Sequence, residues 1–78
     1  MAPTVFRTRN LRIVIYPKDH EPPHVHAIGP DAEAKFEIET LNCFFSRGFT
    51  TKDLKRIQSY LDSQKEYLME VWNDNQKD

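Results

Sequence analysis

Apolar and polar residues alternate with a period of two through much of the first half of this chain, and with a helical period through the second. Leu11 to Tyr16 is rich in β-branched residues and stops at Pro17, which predicts a strand. Its alternation sets Leu11, Ile13 and Ile15 on one face and Arg12, Val14 and Tyr16 on the other. Thr4 to Arg7, after Pro3, predicts a shorter strand, with a turn at Arg9-Asn10 that makes the two an antiparallel hairpin. Lys18 to Pro23 is a loop, because Pro22 and Pro23 lack a backbone donor and restrict the residue before them. His24 to Ile28 then reads as a short strand closed by a Gly29-Pro30-Asp31 turn. Ala32 to Glu39 alternates cleanly, with Ala34, Phe36 and Ile38 inward and Glu33, Lys35, Glu37 and Glu39 outward. Cys43-Phe44-Phe45 adds a short edge segment before Gly48 breaks the pattern.

After Gly48 the period changes. Leu54, Ile57 and Leu61 recur at helical spacing; Thr50 and Thr51 are both candidate N-caps, and Thr50 with Asp53 resembles a capping box in which Asp replaces the usual Glu. Ser63-Gln64-Lys65-Glu66 fits a second capping box, followed by Leu68, Val71 and Trp72. The pattern predicts two helices, over residues 51–62 and 64–75, with one kinked helix as the alternative. Trp72 and Tyr67 are expected in the core. Strands first and helices after them argue for an α+β fold: a small, mainly antiparallel sheet over residues 4–45 with both helices packed on one face.

Length and composition bound this picture without changing it. The chain has 78 residues, enough for a single domain over residues 1–78, and a domain of that size buries only about 60% of its unfolded surface. Cys43 is the only cysteine, so no internal disulfide forms, and a thiol beside Phe44 and Phe45 reads as buried and inert. No apolar run approaches the ~20 residues of a membrane span, and no signal peptide core is present, so the expected setting is cytoplasmic. The net charge of −1 conceals blocks of opposite sign. Arg7, Arg9, Arg12 and Lys18 dominate the first, and Asp31, Glu33, Glu37 and Glu39 the second. Arg47, Lys52, Lys55 and Arg56 follow, and Asp62, Glu66, Glu70, Asp74 and Asp78 close the chain as a stripe spaced by four. Positive charge at the start of a helix opposes its dipole, a cost that binding of an anion or nucleic acid would offset.

All three histidines fall in Asp19-His20-Glu21-Pro22-Pro23-His24-Val25-His26. In a strand, His24 and His26 project from one face about 6.5–7 Å apart, while Val25 points into the sheet core. Three uses compete. His24 and His26 supply a His-x-His pair for a transition metal such as zinc, with His20, Asp19 or Glu21 completing the shell. Alternatively they act as acid and base on a phosphodiester, with Arg7, Arg12 or Arg47 stabilising the developing charge. The plainest use is ordinary polar residues on a half-exposed face, with His20 satisfying a loop carbonyl.

The string from Leu11 to Tyr16, Asp19-His20, Pro22-Pro23-His24-Val25-His26 and Gly29-Pro30 resembles the small bacterial family known as domain of unknown function 4160. Arg47-Gly48-Phe49 before a lysine-rich helix, and Trp72-Asn73, resemble it too. The resemblance implies a stand-alone bacterial protein without an assigned activity, some of whose relatives are encoded beside another small protein in arrangements like toxin–antitoxin pairs. Its shared positions fall here on His20, His24 and His26, with Arg12 and Arg47 as companions and Cys43 outside the pattern. The reading that results is a small interaction module with a protein partner, or with nucleic acid through His20, Lys52, Lys55 and Arg56. The alternatives are a toxin-type ribonuclease with His24 and His26 as acid and base and Arg12 and Arg47 as charge stabilisers, or a metal-binding protein. No cofactor is expected unless His20, His24 and His26 bind a metal, and no membrane partner is expected.

Overall fold

Strict alternation in Ala32–Glu37 and a β-branched run before it build a sheet whose two faces differ in kind. The computed structural model describes residues 4–76. It orders five strands and two helices: β1 Thr4–Arg7, β2 Arg12–Val14, β3 His24–Gly29, β4 Ala32–Glu37, β5 Cys43–Arg47, α1 Thr51–Ser63 and α2 Lys65–Asn75. Each strand pairs antiparallel with its sequence neighbour, in the order β1-β2-β3-β4-β5. This is the α+β arrangement expected from strands that precede helices.

One face of the sheet carries the core. Ile13, Ile15, Val25, Ala27, Ala34, Phe36 and Ile38 form a single buried cluster with Ile57 and Leu61 of α1 and Leu68 and Trp72 of α2. The spacing of four between the buried residues of each helix turns one stripe to the sheet. Val14 is also buried but lies outside that cluster; its ladder partner is His26, so it belongs to the other face.

Several boundaries depart from the periodicity. β2 keeps its ladder for three residues only, although Ile15 beyond it stays buried. β5 runs on to Arg47 rather than ending at Phe45. Ser63 does not cap a second helix: its hydroxyl donates to the Tyr60 carbonyl at 2.6 Å and it belongs to α1. The break falls at Gln64, the C-cap of α1 and the N-cap of α2, which gives no side-chain cap to α2. Tyr67 is on the exposed side of α2, whereas Trp72 is in the core. Cys43 is half-buried, and its thiol donates to the Phe45 carbonyl. Arg47, Lys52, Lys55 and Arg56 are exposed, as are Asp62, Glu66, Glu70 and Asp74. Pro3 and Asp78 lie outside the described residues.

The first helix starts as its capping box requires. The Thr50 hydroxyl accepts from the Asp53 N–H at 3.0 Å, and the Asp53 carboxylate accepts from the Thr50 N–H at 3.1 Å. Gly48 just before it has a φ of +86°, and a Cβ there would run into the Asp31 carbonyl oxygen and Ala32. Both features fix how α1 leaves the sheet.

Two outcomes test the start of α1. Thr50→Ala removes the cap and is expected to cost about 1 kcal/mol in urea unfolding. The backbone N–H of Thr50, then its hydroxyl, hold the Asp53 carboxyl below the ordinary aspartate value. A carboxyl depressed in the folded state contributes stability above its unfolded pKa of about 3.9 and loses it as pH falls through the folded value. Asp53→Ala is therefore expected to be less stable than wild type at neutral pH, with the gap closing in urea titrations taken below about pH 3.9.

Candidate metal centre

β3 is paired on both sides, so its alternation is held by two ladders, and His24 and His26 are displayed on the face opposite Val25 and Ala27. Both imidazoles are nevertheless buried, at 7% and 9% exposure. The cover is local. The segment between β2 and β3 folds back over this face and delivers Asp19 to the two rings. Its return is tied down at the far end, where the Lys18 N–H donates to the Asn75 carbonyl of α2 at 3.1 Å.

One oxygen of Asp19 meets both histidines. Oδ2 lies 3.0 Å from His24 Nε2 and 3.1 Å from His26 Nε2. The other oxygen, Oδ1, accepts from the His20 backbone N–H at 2.9 Å. Burial pushes the Asp19 carboxyl up, but the hydrogen bonds from His26 and His20 and the attraction of both imidazoles outweigh it, and the group is held below the usual carboxylate range.

The tautomer of His24 is set by its other nitrogen. Nδ1 stands 2.8 Å from the Pro22 carbonyl oxygen, which only accepts, so Nδ1 carries a proton. In a neutral ring Nε2 is then a lone pair, and that lone pair faces a carboxylate oxygen. Two acceptors in hydrogen-bond contact repel unless a proton or a cation lies between them. His26 has two ways to meet its neighbours: Nε2 donates to Asp19, or Nε2 offers its lone pair while an Nδ1–H turns toward Glu33 Oε2 at 3.7 Å.

Aromatic rings wall the pair in. Tyr16 stands edge-on to His26 with ring centroids 4.6 Å apart, Phe44 edge-on to His24 at 5.6 Å, and Trp72 of α2 is 5.3 Å from His24. Phe44 reaches this position through an irregularity in the β4–β5 ladder: Lys35 pairs with Phe45 but Phe36 pairs with Cys43, which leaves Phe44 as an extra residue.

The residues singled out by the sequence separate into groups. His24 and His26 come together, and the third member beside them is Asp19, with ligand atoms of all three within 4.8 Å of one another. The ring of His20 is exposed, and that residue contributes its backbone N–H instead. Arg12 and Arg47 fall on the same sheet face, in the row Arg7, Arg12, Ile28, Glu33, Arg47, two residues along the strands from the row of His26. Arg47 makes a long ion pair with Glu33 at 3.9 Å. Lys52, Lys55 and Arg56 are on α1, among the exposed residues of that helix. Tyr16, Glu33 and Phe44 were not legible as neighbours of the site; only the pairing of β3 with β2 and β4 and the bulge bring them there.

Among the described residues no helix is long and apolar enough to cross a membrane. No curated protein and no solved structure matches the chain. A family model does, over residues 10–73, a span that includes β2 to β5, the loop with Asp19, α1 and most of α2. The chain belongs to the family described as a domain of unknown function (DUF4160).

Proposed function

We propose that this protein binds one transition-metal ion, zinc foremost, through His24 Nε2, His26 Nε2 and a carboxylate oxygen of Asp19. The observation that carries the reading is the His24 ring: its proton is on Nδ1, given to Pro22, and its Nε2 lone pair is aimed at Asp19 from 3.0 Å. A metal ion between those atoms removes the repulsion. It also matches a recurrent arrangement in which a ligating histidine donates its second N–H to a backbone carbonyl, fixing the ring. The separations of 3.0 and 3.1 Å are slightly shorter than the roughly 3.3–3.4 Å between neighbouring ligands of a tetrahedral ion with bonds of ~2.0–2.1 Å, and all three ligand atoms lie within 4.8 Å of one another, so the side chains would rotate to close on one ion. Two imidazoles and one carboxylate suit zinc or iron(II), and three protein ligands leave a position for water or substrate, as catalytic sites do.

A metal-free acid–base pair draws less support. Both Nε2 atoms turn to the same carboxylate oxygen and both rings are buried, so the pair would have to work through Asp19 rather than on a substrate. The setting proposed for the protein is the bacterial cytoplasm, on the family resemblance, beside a small partner protein.

Elemental analysis of untagged protein, purified without chelator, is expected to give close to one transition metal per chain. Asp19→Ala, His24→Ala and His26→Ala are each expected to lose it, while His20→Ala retains it. Zinc added to metal-free protein at about a hundred times its Kd should raise the Tm by roughly 10–20 °C. Absence of bound metal together with an unchanged Tm on adding zinc, iron(II), cobalt, nickel or copper would overturn the reading and leave a proton on His24 as the resolution of the contact.

A second outcome concerns the tautomer itself. In metal-loaded protein, two-bond 15N–1H spectra should show the His24 ring protonated at Nδ1 and not at Nε2. A ring protonated at Nε2 would contradict the role given to Pro22.

A further inference from the structure

We propose that the sheet face opposite the core binds single-stranded nucleic acid, with Arg7, Arg9 and Arg12 taking phosphates and Tyr16, Phe44 and Phe45 stacking against bases. The proposal goes beyond the metal site and does not require the metal to be bound. Arg7 and Arg12 are direct ladder partners across β1 and β2. Like charges placed opposite one another weaken a strand pair. Among the described residues no carboxylate forms an ion pair with either of them or with Arg9, so their charge is not spent on the protein itself. The three arginines line one cleft of about 460 Å³, whose floor includes Ile28 and Gly29 of β3. That is an anion site by composition, because guanidinium groups recognise phosphate through paired N–H donors.

Aromatic side chains lie further along the same sheet face. Large apolar side chains exposed by a third to a half are Tyr16, Phe44, Phe45 and Tyr67; Tyr16 and Phe44 stand against the histidine rings, while Tyr67 lies on α2. Phe45 shares a cross-strand row with His26 and has the Lys35 ammonium 5.4 Å from its ring centre. The acidic groups of the face are largely engaged: Asp19 with both histidines, Glu33 with Arg47 and His26. Glu37, the partner of His24, is bonded by the Thr40 hydroxyl. The surface therefore combines uncompensated arginine with exposed rings. Rings of this kind stack on unpaired bases of any sequence, whereas a duplex keeps its base faces hidden, so the fit is to a single strand.

The test is fluorescence anisotropy with labelled single-stranded RNA and DNA of about 12 nucleotides, long enough to cover one small domain. Wild-type protein is expected to bind at about 50 mM salt, with an affinity that falls linearly on a log–log plot as salt rises. The Arg7→Ala, Arg12→Ala double variant should bind about tenfold more weakly or worse and lose about one to two units of salt slope. The Phe45→Ala variant, which leaves the ring against His24 in place, should lose about tenfold with the slope unchanged, because stacking releases no counterions. Both variants should keep the wild-type Tm and metal content, so their loss of binding is independent of folding and of whether a metal is held. Three results would overturn the proposal: no single strand bound by wild type at about 50 mM salt, leaving the aromatic surface to a protein partner; variants that bind as wild type does; or a duplex bound as tightly as a single strand.

Discussion

A single carboxylate oxygen, Asp19 Oδ2, stands 3.0 and 3.1 Å from two imidazole nitrogens, and the arrangement of this face of the protein follows from that contact. It ties the segment between β2 and β3 to both rings, beside the hold that Pro22 has on His24 and the cover that Tyr16, Phe44 and Trp72 give. With it, two rings that strand geometry merely aligns become a buried group in which both Nε2 atoms face one carboxylate oxygen. Buried polar atoms cost free energy unless paired, which makes this group demanding. The metal ion proposed above would meet all three side chains at once.

The fold supplies that contact by dividing its labour between the two faces. The helices take one face of the sheet and seal it with Ile57, Leu61, Leu68 and Trp72. A domain this small has no second layer for the other face, so a short loop covers the histidines and the remainder stays open. The loop is held at both ends, by the Lys18 bond to Asn75 and by Pro22 on His24. Arginines and aromatic rings are what the open part displays.

The elements themselves were legible because each rests on local periodicity. The inward set Ala34, Phe36 and Ile38 and the helical series Leu54, Ile57 and Leu61 follow from side-chain geometry in a strand or a helix, whatever surrounds them. The Thr50–Asp53 cap is local for the same reason, since its partners are three residues apart. Ser63 shows where local reasoning ends: its sequence context fits a cap, but its hydroxyl turns to Tyr60 and the helices divide one residue later. Tyr67 likewise has the composition of a core residue and an outward place on α2, which only the rotation of that helix against the sheet decides.

From the sequence alone came the strands, the helices, their order and the common face of His24 and His26, because these depend on the period of two and on residues next to one another. Only the tertiary structure chose Asp19 over the neighbouring His20 as the third member of the group, turned Nδ1 of His24 to Pro22, and set Phe44 beside the ring through a bulge. Each of those depends on where a proline-rich loop returns to the sheet. No periodicity encodes such a path; it is settled by which side chains can satisfy one another once the strands are paired.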